Sequence, residues 1–420
     1  MANPRQLRNL IFGLSLGAAT AALAIAFVLI VVATQPAQAQ TFNVLHNFTG
    51  AQDGGNPYAG VTMDKAGNLY GTAFHYGAGY GTVYQLKHKG SGWVFNPLYS
   101  FTAGSDGAYP AGGVIFGPNG TLYGTTYEGG KGYGTVFNLR PKPTACLTAL
   151  CGWGETVLYR FVGYPTDGAY PGYTNGDLIF DQAGKIYGTT ENGGSHSYGV
   201  VYELTPSGSG WTESVLYNFS GSDGAYPYSG VIFDNAGNLY GTTFEGGLGG
   251  VGTVFELTYS IGWTETFLNS FRNGTDGSYL IAGLIFDQSG NLYGATNNGG
   301  QGGGGTVFKL TPSNGSWTYS LVYSFTGGAE CGPWGNLVMD GAGNLYGTTV
   351  CDGAKNAGSV FELTPSGSGW TYTSLHDFTG GSDGALPYCN VVFDANGNLY
   401  GTAYAGGSQG VGVVWKITFP

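Results

Sequence analysis

Seven evenly spaced copies of one phrase run along this chain of 420 residues: Asn-Leu-Tyr-Gly-Thr, exact or with one or two residues changed. The copies centre on Tyr70, Tyr123, Tyr187, Tyr240, Tyr293, Tyr346 and Tyr400, at intervals of 53, 64, 53, 53, 53 and 54 residues. A fixed period of this size means one supersecondary unit used repeatedly. Units that pack on one another form one body, so the array overrides the several domains that length alone suggests.

The unit from Ser229 to Phe271 reads as four short strands. Gly230 to Asp234 is apolar and short, Asn235 to Gly237 is a turn, and Asn238 to Thr243 is a second strand. A glycine-rich loop from Glu245 to Gly250 leads to a third strand, Thr253 to Leu257, and Trp263 to Phe271 is the fourth. No helical period is present, and turn signals separate the runs. The first strand is apolar on both faces, Val231 and Phe233 on one and Ile232 on the other. A sheet with one wet face would alternate instead. A four-stranded antiparallel sheet covered on both faces by copies of itself is a propeller blade. Small residues at Gly241, Thr242 and Thr243 suit crowding where blades converge on a hub.

The ends of the array predict closure. The seventh unit stops after its third strand, Val413 to Ile417. Residues 42–50 align with a fourth strand: Val44-Leu45-His46-Asn47-Phe48 matches Val215-Leu216-Tyr217-Asn218-Phe219. The expected fold is an all-β, seven-bladed propeller over residues 40–420, its last blade completed by the N-terminal strand. Closing the ring removes both free sheet edges.

Residues 1–39 differ in kind. Arg5 and Arg8 precede an apolar run from Leu10 to Ala33, followed by Ala37-Gln38-Ala39, a small-x-small cleavage pattern. This reads as a secretory signal peptide cleaved after Ala39. Residues 10–33 are also long enough to span a bilayer if retained as an anchor, the one route to a membrane partner. In that exported context five cysteines can form disulfides. Cys146 and Cys151 lie in the excess that lengthens the second interval. Cys331, Cys351 and Cys389 form a later group whose pairing stays open, and the odd total leaves one thiol over.

Charged residues are only 9% of the chain, while glycine supplies 80 residues and aromatics 15%. No Gly-X-Y period appears, which excludes collagen, and the aromatic richness argues against disorder. Net charge is −11, and losing the two arginines of the leader takes it to −13. No basic stripe is present, so no nucleic-acid partner is expected.

Three repeated elements are candidates for chemistry. The turn Asp-x-x-Gly, at Asp64, Asp181, Asp234, Asp287, Asp340 and Asp394, reads as structural; a structural calcium ion is the alternative, and no metal site is assigned. The segment Asp-Gly-Ala-Tyr-Pro ahead of each first strand supplies Asp106 with Tyr109, Asp167 with Tyr170, Asp223 with Tyr226, and Asp276 with Tyr279. Chain direction places it on the same face as Glu128, Glu191 and Glu245. Tyrosine pairs an apolar face with a polar tip, which suits carbohydrate; the competing reading is a plain turn with tyrosine packed between blades. The sixth unit deviates, with Glu330 and Cys331 in this segment, and is where an enzyme would find distinct groups. Gly247 to Gly252 matches G-x-G-x-x-G but leads into a strand, so it holds no dinucleotide.

The Gly-Asn-Leu-Tyr-Gly-Thr-Thr phrase, the Gly-Thr-Val-Phe-Glu-Leu-Thr-Pro run and the Leu-Tyr-x-Phe strand together resemble the bacterial GloVer tandem repeat, over residues 42–420. The resemblance implies an exported bacterial protein, with no catalytic residues or cofactor to carry over. The expected function is a secreted or surface-exposed binding module for glycan or another surface component. The alternatives are an extracellular lyase or glycoside hydrolase with its site on the irregular sixth blade, or a purely structural surface module.

Overall fold

A computed structural model describes residues 40–90, 92–142, 153–173 and 178–420. The signal or anchor segment, Cys146 and Cys151 lie outside the described residues. Residues 42–418 form one compact unit.

The 42–418 unit contains seven antiparallel sheets and, among the described residues, no helix. Each sheet runs outward in chain order, as in Ile232–Phe233, Leu239–Thr243, Thr253–Tyr259 and Trp263–Ser270. The seventh joins Val392–Phe393, Leu399–Ala403 and Val413–Thr418 to the strand Thr41–Asn47, the predicted closure. The third sheet has a fifth strand, Gly168–Pro171, pairing with Ile186–Gly193. In other blades that contact shrinks to one bridge, such as Ala225 with Glu245.

Cores lie between blades. Tyr187, Val201 and Phe219 of the third blade pack on Val231, Leu239, Phe255 and Leu257 of the fourth. Ile232 packs with the fifth-blade cluster and Phe233 with the third, so both faces of the first strand are covered as expected.

Each residue of the repeated phrase has a separate role. Leu239 is buried. The Tyr240 hydroxyl reaches both Asp234 Oδ2 and Glu256 Oε1, at 3.2 and 2.7 Å. Asp234 accepts the Ala236 and Asn238 amides and the Asn238 side chain, which fixes the turn. Thr242 donates to the Ala282 carbonyl of the next blade at 3.0 Å, and Thr243 meets Thr253 at 2.8 Å.

Gly241 corrects the sequence expectation. It pairs across the sheet with Phe255, and a Cβ there would lie 2.5 Å from the Phe255 ring. The crowding comes from the blade's own third strand, not from neighbouring blades at the hub. The same aromatic ring covers a glycine at Gly71, Gly124, Gly188, Gly294, Gly347 and Gly401.

At the hub, a cavity of about 210 Å³ runs between the first strands of blades one, two, six and seven. Asn390 lines it and accepts the Gly60 amide at 3.1 Å, and Asn336 accepts the Gly283 amide at 2.6 Å.

Candidate functional site: an aromatic mouth

The loops entering the first strands and those leaving the second strands share one face. In six blades a residue of the entering loop takes the left-handed conformation: Asn56, Tyr109, Tyr170, Tyr226, Tyr279 and Leu386, with φ from 54 to 61°. Such a backbone is uncommon for a bulky residue and persists only where surroundings enforce it. Here each amide donates to a carbonyl of the preceding blade, Tyr109 to Tyr80 and Tyr226 to Tyr198 among them. The clamp is structural, and it aims the following residues at the axis.

Those following residues build the site. Tyr58, Tyr173, Tyr228, Trp334 and Tyr388 are half-buried and lie inside the clamp positions. Two arcs result. Phe74, Tyr58, Tyr404, Tyr388 and Trp334 form one, with centroids 4.9 Å apart for Phe74–Tyr58, 4.7 Å for Tyr58–Tyr404 and 4.7 Å for Trp334–Tyr388. Tyr127, Tyr173, Tyr228 and Phe244 form the other, at 5.5, 4.7 and 4.7 Å. The arcs face each other across the mouth. The phenols of Tyr58 and Tyr388 are raised by burial and then by neighbouring tyrosines, Tyr173 of the opposite arc among them.

One carboxyl interrupts the aromatics. Glu191 takes the place that Phe74, Tyr127, Phe244 and Tyr404 hold in other blades. Burial raises its pKa from the ordinary carboxylate value, against the hydrogen bonds it accepts from Tyr127 and Asn192. The Tyr127 hydroxyl donates to Oε2 at 2.8 Å. Its field reaches Tyr173, Tyr228 and Tyr226, whose phenols burial already raises.

The residues singled out from sequence divide. Asp106 accepts the Thr102 and Gly104 amides and the Tyr99 hydroxyl, and Asp167 accepts the Val162 and Gly163 amides and the Tyr159 hydroxyl. Asp223 accepts Ser220 and Tyr217, and Asp276 accepts the Arg272 and Gly274 amides. All four are engaged by their own turns. Tyr109, Tyr170 and Tyr279 pack on Phe74, Tyr127 and Phe244 and so form an outer tier of the aromatic field; Tyr226 packs on Tyr198. Glu128 and Glu245 fall one position after the Glu191 place, at the residues that pair with Ala108 and Ala225. Strand alternation therefore separates them from Glu191.

His46 and His376, on outer strands, each contact an aspartate at 3.1 Å, Asp53 and Asp383. Cys389 lies buried against Thr402 and is the free thiol among the described cysteines. Cys331 and Cys351 are disulfide-bonded. Glu330 is exposed on the adjoining turn, its amide donating to Asn298 Oδ1.

The missed residues carried a faint signal. The position after the loop proline is aromatic at Tyr58, Tyr228, Trp334 and Tyr388.

A family model described as the Gloeobacter/Verrucomicrobia repeat matches residues 30–231, 148–332 and 303–420. No curated protein matches the chain. Among solved structures, the extracellular domain of a candidate hybrid two-component system from B. thetaiotaomicron is similar at a TM-score of 0.54 and 12% identity, over 89% of this chain and 39% of that one. This chain thus spans well under half of that structure's length. A candidate 6-phosphogluconolactonase from Bacteroides uniformis gives 0.48 at 13% identity, over 76% and 84% of the two chains. A protein from Dyadobacter fermentans gives 0.45 at 12%, over 91% and 98%. At 12% identity the first of these likenesses is one of fold.

Proposed function

Since this chain belongs to the Gloeobacter/Verrucomicrobia repeat family, we propose that it is a secreted or surface-exposed binding module, without catalysis, whose aromatic mouth takes a glycan or another surface component. The observation that carries this reading is the convergence of Tyr58, Tyr173, Tyr228, Trp334 and Tyr388, with the Glu191 carboxyl acting on Tyr173 and Tyr228. Aromatic faces cover the C–H surface of a sugar ring, and phenols with one carboxyl serve its hydroxyls. Export is supported by the Cys331–Cys351 disulfide, since such bonds persist in oxidising compartments.

Binding of neutral oligosaccharides to purified protein, residues 40–420, tests the proposal. Saturable binding that Tyr173→Ala and Tyr388→Ala each weaken tenfold or more is expected. Unchanged affinity in both variants would remove the mouth as the site, and release of shortened sugar would overturn the non-catalytic reading.

A further inference from the structure

The opposite face carries a second candidate site, independent of the mouth. At the blade seams there, except the one beside Tyr346, the repeat tyrosine of one blade lies near a tryptophan on the outer strand of the next. The pairs include Tyr240 with Trp317, Tyr293 with Trp370, and Tyr400 with Trp93. The residue opposite the tyrosine on the third strand decides each cleft's charge. It is a glutamate at Glu203, Glu256 and Glu362, where it accepts from the tyrosine hydroxyl. It is a lysine at Lys309 and Lys416, whose ammonium groups lie over the tyrosine ring at 5.5 and 5.3 Å.

The groove between blades seven and one stands apart. Its volume is about 1040 Å³, against about 650 Å³ between blades five and six and about 620 Å³ between three and four. Trp93 walls it, with Tyr400 and Lys416 across from the indole and Lys65 and His88 at its rim. In the three-to-four cleft Lys185 is neutralised by Glu203 at 2.8 Å. Among the described residues no carboxylate lies within 4 Å of Lys416 or Lys65. Asp64 and Asp394 also line the groove and keep their charge, each carboxylate turned to the neutral donors of its own turn. The chain has nine lysines and a net charge of −11. Two of the nine, Lys65 and Lys416, line this groove together with His88. An ammonium with no close carboxylate, as at Lys416 among the described residues, is a local attraction for an anion even on an acidic protein.

We infer that this groove binds an acidic saccharide, a uronic acid unit whose ring lies on Trp93 and whose carboxylate meets Lys416. An indole face beside an ammonium fits a ring that is C–H on one side and charged at its rim. The amides of Asn43 and Asn396 in the lining can serve ring hydroxyls.

Titration with a short oligogalacturonate, and with a neutral galacto-oligosaccharide of equal length, tests this. Wild-type protein should bind the acidic chain, and affinity should fall as salt rises, since screening weakens the pair. Lys416→Gln should weaken that binding at least tenfold. This variant should fold, because Gln85 holds the same place in blade one and donates to Tyr70 at 2.6 Å. Trp93→Ala should weaken it further, while Tyr173→Ala in the mouth leaves it unchanged. No saturable binding of the acidic chain, or equal affinity in wild type and Lys416→Gln, would overturn the inference. Loss of acidic binding on Tyr173→Ala would also overturn it, by moving the site to the mouth.

Discussion

The Thr402 hydroxyl donates to the Ala59 carbonyl at 2.9 Å, bridging 343 residues of sequence. The same bond joins internal neighbours, from Thr72 to Gly112, Thr189 to Ser229 and Thr242 to Ala282, each across 40 residues. The seam between the last blade and the first is therefore made like the others. At the rim the Phe48 amide donates to the Gly412 carbonyl, and the Phe42 ring lies 5.9 Å from Trp415.

If closure is equivalent to an internal seam, its core residue should weigh as much as an internal one. Phe48 and Phe219 hold matching places and both are fully buried. Phe48→Ala and Phe219→Ala should each destabilise by about 3–5 kcal/mol in urea unfolding. A Phe48 variant as stable as wild type would show an open ring.

Gly241 serves the Phe255 ring, and its φ lies outside the left-handed region, so a substitution there fails by steric contact alone. Gly241→Ala should cost about 1–3 kcal/mol, the range for overpacking a tight core. Adding Phe255→Leu should recover part of that loss in a double-mutant cycle. Additive losses would show that the ring and the glycine do not compete for the same space.

Cys331 and Cys351 are separated by 20 residues. They take the places that Ala225 and Glu245 take in blade four, where a backbone bridge alone joins them. The Cys351 amide still donates to the Cys331 carbonyl at 3.5 Å. The disulfide is thus an addition to a contact that forms without it. Replacing both cysteines by serine should lower stability by about 3 kcal/mol, the loop-entropy value for this spacing, and leave the circular-dichroism spectrum intact. Loss of the β signal would show that blade six depends on the bond.

The fold was legible because its signal repeats. Seven copies of one phrase fix the unit, and the match of Val44–Phe48 to Val215–Phe219 fixes the closure. The disulfide was within reach too, since the spacing from Cys331 to Cys351 equals that from Ala225 to Glu245; seeing it required knowing which loop positions pair. The mouth was harder. Asp106 and Tyr109 stand out by repetition, yet repetition marks what every blade needs, which is a turn and a clamp. Glu191 and Trp334 stand out only as departures at places whose direction is set by the left-handed residue before them. That conformation leaves no clear mark in sequence, because Asn56, Tyr109 and Leu386 all adopt it.

The outer seams make stability depend on pH. Glu155, Glu213 and Glu265 sit on the fourth strands of blades two, three and four, where the other blades carry Phe42, Phe95, Tyr319 and Tyr372. Those aromatics stack or hydrogen-bond: Phe95 lies 4.3 Å from His46, Tyr372 lies 5.0 Å from Tyr323, and Tyr319 donates to the Asp276 carbonyl. The glutamates instead face Asp106, Asp167 and Asp223, and one buried oxygen of each lacks a hydrogen-bond partner. Burial first, then the facing aspartate, pushes each carboxyl up to about 7; Arg160 opposes this at Glu155. The folded protein keeps these protons up to pH near 7, while the unfolded chain releases them near the ordinary value of 4.5. Below both values the groups contribute nothing. Between them the folded state binds more protons, so stability falls as pH rises, and above 7 the loss is constant. His46 and His376 are held below their ordinary value, chiefly by burial, and act in the opposite sense. A variant with all three glutamates changed to glutamine keeps both histidines, so the difference between the proteins isolates the carboxyls. With partial exposure discounting each shift to about 1 kcal/mol, the triple variant should be about 3 kcal/mol more stable than wild type at pH 8 and equal to it at pH 4. Urea midpoints across that range read the difference directly, and a difference that does not change with pH would mean the three carboxyls ionise as freely in the folded protein as in the unfolded chain.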